Sequence, residues 1–193
     1  TGPNVTVDSI LSNDNTPALT GTVDDHDAEI TVIVDGAEYN AVNNGDGTWQ
    51  LADDELAELP EGETPVIVVA TDPAGNESQT DGLITIDTIP PEAPIIDPSN
   101  GEELTGTAEA GSTVNLDIDE DGQTDLTTTA DENGDWSVTP ITPIADGVEV
   151  SATATDEAGN TSGPSAVIID AAPPSNGDGV NSIAFDDALI NAV

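Results

Sequence analysis

The chain has 193 residues, of which 40 are Asp or Glu and none is Lys or Arg, so with one His it carries a formal net charge of −40 at pH 7. Nucleic-acid binding requires basic side chains to neutralise phosphates, and anionic membrane surfaces attract basic segments, so composition excludes both partners. Zero Cys removes a disulfide scaffold and a thiolate metal site, and no apolar run approaches transmembrane length, so no membrane insertion is expected.

Acidic, aromatic-poor chains are commonly disordered. Here aromatics are 2% of the residues, yet regular β-branched runs predict folded β structure whose cores rest on Val, Ile, Leu, Ala and two Trp. Nothing basic neutralises the carboxylates, and screening over about 8 Å at physiological salt weakens their repulsion without removing it where they converge. Cations are the missing partner. The chain starts at Thr1-Gly2-Pro3 without Met or a signal peptide and stops in mid-pattern, so it reads as a fragment of a longer protein. The lack of Cys suits a secreted chain exported unfolded.

In chain order, residues 5–10 alternate weakly through Val5 and Val7 and predict a first strand before the turn at residues 12–17. Residues 19–23 (Leu-Thr-Gly-Thr-Val) predict a second. Ile30, Val32 and Val34 alternate inward up to Asp35-Gly36, a dipeptide that signals a tight hairpin. Residues 38–42 return, Asn43-Asn44-Gly45-Asp46-Gly47 turns again, and residues 48–51 open the next strand around Trp49. A polar connection with one helical turn over 53–59 leads to a strand at 66–71, a loop, and a last strand at 83–87.

That loop organises the chain. Residues 70–78 read Ala-Thr-Asp-Pro-Ala-Gly-Asn-Glu-Ser and residues 154–162 read Ala-Thr-Asp-Glu-Ala-Gly-Asn-Thr-Ser, a period of 84 residues. Leu104-Thr105-Gly106-Thr107 repeats residues 19–22. Val114, Leu116 and Ile118 repeat the alternating strand, and Asn133-Gly134-Asp135-Trp136 repeats the turn before Trp49. Ile86-Asp87-Thr88-Ile89-Pro90-Pro91 and Ile169-Asp170-Ala171-Ala172-Pro173-Pro174 close the two modules, Pro-Pro being a short stiff linker. The predicted fold class is all-β: two tandem immunoglobulin-like, seven-strand Greek-key sandwiches in an elongated array, over residues 1–90 and 91–174. Residues 175–193 open a further module or form a tail.

These motifs, in one order and covering residues 5–174, resemble the bacterial Ig-like domains repeated in giant surface adhesins of the RTX and biofilm-associated type. The resemblance implies cell adhesion and biofilm formation, an extracellular place on a bacterial surface, and export by a type I route.

Catalysis is hard to build without Cys, Lys or Arg. The single His26 sits in Asp24-Asp25-His26-Asp27 with no counterpart in the second repeat, which suits a solvated role. No enzymatic activity is expected. Calcium is the better use of so many oxygens, since hard Ca²⁺ takes six to eight oxygen ligands. Asp117, Asp119, Asp121 and Asp125 stand at positions 1, 3, 5 and 9 of an acidic loop with Gly122 at position 6, most of an EF-hand-like pattern. Thr128 replaces the bidentate Glu of that pattern, and the flanks read as strands. The plain alternative is a solvated acidic hairpin.

A second candidate comes from sandwich topology, which places three loops at the end facing the preceding module and gathers Asp87, Glu109 and Asp156 there. Similar adhesin modules bind calcium at such junctions, and the resemblance implies the same for these three. Asp25 and Asp72 occupy the corresponding loops of the first module, and Asp170 would serve the junction after the second. Asp72 and Asp156 also read as turn formers. Trp49 and Trp136 each read as a core plug.

The expected function is a calcium-stiffened spacer, or extender, of a secreted surface adhesin. Its partners would be calcium ions and neighbouring modules of the same chain, and the fragment itself would be monomeric. Two alternatives are a carbohydrate- or surface-binding module of an adhesin or secreted enzyme, which needs an exposed aromatic platform, and self-association through edge strands.

Overall fold

A computed structural model describes residues 1–171; the expectation for 175–193 lies outside them. The described residues form two compact units. The first is Thr1–Pro91 with the loop Thr155–Thr161, and the second is Glu92–Ala154 with the chain from Ser162 onward.

The first unit contains seven strands among its described residues: β1 (Ile10–Ser12), β2 (Leu19–Thr22), β3 (Glu29–Val34), β4 (Ala37–Asn43), β5 (Thr48–Leu51), β6 (Gly62–Thr71) and β7 (Glu77–Ile86). Hydrogen bonding orders them β1-β7-β6-β3-β4-β5-β2. β4 pairs with β3 through its first residues and with β5 through Val42 and Asn43, so one strand passes between the two layers of the sandwich. β3 follows its period of two, with Ile30, Val32 and Val34 buried. Asp35 and Gly36 take φ of 49° and 80°, the left-handed pair that a two-residue hairpin between right-twisted strands requires.

The core joins Leu19, Val32, Trp49, Leu51, Val66, Val68, Ile84 and Ile86. Each full burial of a Val, Leu or Ile contributes about 1.5–3 kcal/mol before chain entropy is set against it. The Gly of Leu-Thr-Gly-Thr has a packing reason: a Cβ on Gly21 would run into the Thr6 carbonyl oxygen and lie 2.6 Å from Trp49 Nε1. Trp49 is 1% exposed and is the plug of this core.

Two expectations are corrected. The helical turn over 53–59 is absent: this stretch is irregular, Asp54 has φ of 63°, and its backbone is held by Asp54 N–H to Thr16 O (3.0 Å) and Leu59 N–H to Asn15 O (2.8 Å). The first strand is displaced. Residues 5–8 run beside β2, with Thr6 N–H to Thr22 O and Asp8 N–H to Thr20 O, both 2.9 Å. The strand proper is β1, which pairs parallel to β7.

The second unit holds β8 (Ile95–Ile96), β9 (Leu104–Thr107), β10 (Thr113–Asp117), β11 (Leu126–Thr129), β12 (Asp135–Val138), β13 (Glu149–Thr155, all but its last residue) and β14 (Ser165–Ile168). They make a four-stranded sheet, β11-β10-β13-β14, and a three-stranded sheet, β12-β9-β8. Leu104, Val114, Leu116, Trp136, Val150 and Ile169 form the core between them. Gly106 repeats the role of Gly21, with the Ile95 carbonyl and Trp136 against it. Where β1 lies along β7 in the first unit, Asp170 N–H donates to Ser99 O at 3.0 Å in the second. No helix of the described residues is long and apolar enough to cross a membrane.

Candidate metal centre

The acidic loop is the connection between β10 and β11, whose register ends at Leu116 opposite Leu126. Asp125 N–H to Leu116 O at 2.8 Å closes its base. Asp117 is the hub: Oδ1 accepts the N–H groups of Asp119 (3.2 Å) and Glu120 (2.8 Å), and Oδ2 accepts that of Gly122 (2.8 Å). This wrapping requires φ of 63° at Glu120 and 82° at Gly122. From the other side Ile118 N–H donates to Asp125 Oδ2 at 2.9 Å.

The result brings carboxylate oxygens of Asp117, Asp119 and Asp125 all within 4.8 Å of one another. The fourth expected residue, Asp121, lies outside that group, and its carboxylate is engaged by Gln123 through N–H (2.8 Å) and Nε2 (3.3 Å). Desolvation raises the Asp119 carboxyl above its ordinary value, and the charges of Asp121, Asp125 and Asp117 add to that rise. For Asp117 desolvation also raises the value, but the N–H donors of Gly122, Asp119, Glu120 and Asp121 outweigh it and the net shift is downward. Three converging carboxylates and no basic side chain favour a hard divalent cation, whose charge would reverse the repulsion. A cleft beside the loop is lined by Asp117, Glu120, Gly122, Glu149 and Ser151. Glu149 and Ser151 belong to β13, the neighbour of β10 in the sheet. Sequence reasoning missed them, because only the pairing of β13 with β10 brings them there.

The repeated loops have a different geometry. Asp72 Oδ1 accepts the N–H groups of Ala74 and Asn76, both at 2.8 Å, and Oδ2 accepts Asn76 Nδ2 at 2.7 Å. These bonds, led by the Asn76 side chain, hold the Asp72 carboxyl below its ordinary value. Asp156 repeats the arrangement with Asn160 N–H and Nδ2, both at 2.8 Å. Asn160 Nδ2 also donates to the Asp87 carbonyl oxygen at 2.7 Å, within the first unit. Asp87 is half-buried, and its Oδ1 accepts Ile89 N–H at 3.1 Å.

Glu109 belongs to the second unit, on an exposed turn where its backbone oxygen accepts Ser112 N–H (3.0 Å) and Oγ (2.7 Å). Asp25 caps its own turn through Asp27 N–H at 2.9 Å. In the first unit the cleft at Asp72 is lined by Asp27, Glu29, Thr71, Pro73 and Gly75, without Asp25. Glu29 stands opposite Thr71 in the β3–β6 register, a placement that local sequence does not reveal. Asp170 and His26 are exposed.

Two family profiles match the sequence. Residues 4–88 match the family described as bacterial Ig-like domain, and residues 91–170 match bacterial Ig domain. The sequence matches no curated protein. Among solved structures the chain is similar to the BSP domain of a biofilm associated protein, at 21% identity and a TM-score of 0.39 over 89% of this chain and 30% of that one. A Ca2+-stabilized adhesin with which an Antarctic bacterium binds ice is 25% identical, with a TM-score of 0.39 over 86% of this chain and 48% of that one. The FN1-FN3 domains of chicken CNTN1 are 14% identical, with a TM-score of 0.50 over 88% and 67%. The chain thus spans less than half the length of either bacterial structure. On its two profile matches and its paired Trp-plugged sandwiches, the chain belongs to the bacterial Ig-like domains, as two copies in tandem.

Proposed function

We propose that this chain is a calcium-stiffened extender segment of a secreted bacterial surface adhesin, a non-enzymatic spacer that holds a distal binding region away from the cell and supports adhesion and biofilm formation. The observation that carries the reading is the convergence of Asp117, Asp119 and Asp125 within 4.8 Å in a chain with no Lys or Arg. A cation is the available means of relieving that repulsion. The likeness to a Ca2+-stabilized adhesin points the same way in name. In this reading Ca²⁺ orders the β10–β11 loop, with Asp121 of the same loop and Glu149 of the adjoining cleft as further ligands. Further ions restrain the linkers through Asp87, Glu109 and Asp156, and through Asp25, Asp72 and Asp170 at neighbouring joints. The modules fall at residues 1–90 and 91–174. Export by a type I route through a calcium-poor cytoplasm keeps the chain pliable until it meets extracellular calcium, where affinities on the order of 10⁻⁴–10⁻³ M suffice.

A sugar-binding module is disfavoured by the burial of both Trp residues and by Tyr39, whose hydroxyl is engaged by Ala57 N–H at 3.2 Å. The deciding experiment is small-angle scattering with thermal melting in millimolar Ca²⁺, in Mg²⁺ at matched ionic strength, and in EDTA. Lengthening of the particle and a higher melting temperature in calcium alone are expected. Identical behaviour in all three buffers would sink the calcium mechanism.

A further inference from the structure

The sequence contains four Asn-Gly steps, at Asn44, Asn100, Asn133 and Asn176, and the first three lie in described residues. We propose that Asn44 is a site of spontaneous deamidation in the folded protein, and that the fold protects Asn100 and Asn133. In this chemistry the backbone nitrogen of the following Gly attacks the Asn Cγ. The Cγ–Nδ2 bond breaks, and ammonia leaves with the proton from that nitrogen. Water then opens the resulting succinimide at either carbonyl, giving aspartate or isoaspartate. A following Gly is needed because no side chain impedes the approach, but its peptide must also be free to rotate.

The three steps differ in that freedom. Gly45 is exposed, a Cβ there would meet nothing within 4 Å, and its N–H is held by the Asn43 Oδ1 side-chain acceptor at 3.0 Å. Gly134 is buried. Its N–H donates to Asp131 O and its carbonyl accepts Ala108 N–H, both at 2.9 Å, and a Cβ there would lie 2.6 Å from Ala108 O. Gly101 is also buried, with its N–H on Ser99 Oγ (2.9 Å), its carbonyl accepting Ile144 N–H (3.0 Å), and the Ile144 carbonyl oxygen where a Cβ would lie. Rotating either of these peptides requires local opening of a module, whereas the Asn44 step is restrained at the Gly45 N–H and the Asn44 amide by two exposed bonds to side chains, those to Asn43 Oδ1 and Thr48 Oγ1. Local sequence does not explain the difference between Asn44 and Asn133, since both are followed by Gly-Asp.

The product has a structural consequence. Asn44 Nδ2 donates to Thr48 Oγ1 at 2.9 Å, and the same hydroxyl donates to Asp46 Oδ1 at 2.6 Å. A carboxylate at position 44 removes that donor and sets a second anion against Asp46, and the isoaspartate form adds a backbone carbon to the turn that delivers Trp49.

The test incubates the intact chain, folded, in warm mildly alkaline buffer and in parallel in denaturant, followed by mass spectrometry of peptides. Trypsin has no site in this chain, so a Glu- and Asp-specific protease is used. In the folded sample the Asn44 peptide should gain one dalton and split into two isomers on the order of tenfold or more faster than the Asn133 and Asn100 peptides. In denaturant Asn44 and Asn133 should convert at similar rates. Asn44→Gln should abolish the gain in its peptide. Equal rates at Asn44 and Asn133 in the folded chain would overturn the proposal, as would an equal preference for Asn44 in denaturant or a gain that survives Asn44→Gln.

Discussion

The indole Nε1 of Trp49 donates to the backbone carbonyl of Thr6 at 2.8 Å, tying the core plug of the first unit to the segment that precedes β1. Its counterpart Trp136 is equally sequestered, but its Nε1 has no hydrogen-bond partner among the described residues. Replacing either indole by Phe removes similar volume, so the difference between the two variants reports the Thr6 bond together with the unpaired N–H of Trp136. Trp49→Phe should cost about 0.5–1.5 kcal/mol more than Trp136→Phe. Urea unfolding of both variants, followed for the affected unit, checks this; equal losses would show that pairing the indole N–H brings no net advantage over leaving it unpaired.

Gly21 and Gly106 should resist the smallest possible enlargement. A Cβ at either position meets a carbonyl oxygen of the neighbouring segment and an indole ring at 2.6 Å, and both obstacles are fixed by the core. Gly21→Ala and Gly106→Ala should each destabilise their unit by about 1–3 kcal/mol. Gly163→Ala, with nothing within 4 Å of the new carbon, should change stability by less than about 0.5 kcal/mol. Thermal melts of the three variants give the comparison.

Asp119→Asn separates repulsion from ligation. Without calcium, the variant removes a carboxylate whose ionisation is opposed by desolvation and by Asp121, Asp125 and Asp117, so the second unit should melt at a higher temperature than the parent in EDTA. With calcium, the order should invert, and affinity measured by calorimetry should fall on the order of tenfold or more. A variant that binds calcium like the parent would remove Asp119 from the ligand set.

Acidity should act in two opposite ways. Asp53 and Asp119 have carboxyls raised above 3.8, in both cases chiefly by desolvation. Their ionisation opposes folding at neutral pH, and that opposition fades as pH falls through the raised values. Asp72, Asp131 and Asp156 are lowered below 3.8. Their contribution is fully present above 3.8 and is lost as pH falls through the lowered values. In EDTA the melting temperature should therefore rise on mild acidification from neutrality and fall again below about pH 3.8. In the proposed site a calcium ion pairs with Asp119, so calcium should flatten the first limb. A monotonic decline from neutrality would contradict the assignment.

Local chemistry made much of this fold legible in the sequence. Asp35-Gly36 forms its hairpin, Ile30, Val32 and Val34 face inward, and each Trp fills a core, because period-two alternation and left-handed turn residues act over a few positions. Residues 53–59 do not form the expected helical turn, for a physical reason. Leu56 and Leu59 are spaced as on a helix and both are buried, but Asp54 in the left-handed region and bonds to Asn15 and Thr16 hold the segment irregular. The acidic loop was visible through its spacing, and the structure brings three of its four aspartates together. Glu149 and Glu29 were not visible, because their places depend on which strands become neighbours.

The parallel pairing of β1 with β7, through Ile10 opposite Ile84 to Ser12 opposite Ile86, has a mechanical meaning. Tension applied at the two ends of the first unit pulls these strands along their length in opposite directions. Their bonds are then loaded in shear, so they must fail together rather than unzip one after another. The backbone bond from Asp87 N–H to Ser12 O at 2.9 Å extends that pairing, and Asp170 N–H to Ser99 O is its counterpart in the second unit. Under load in a continuous chain, the β1–β7 pairing makes the first unit yield in one step rather than by degrees.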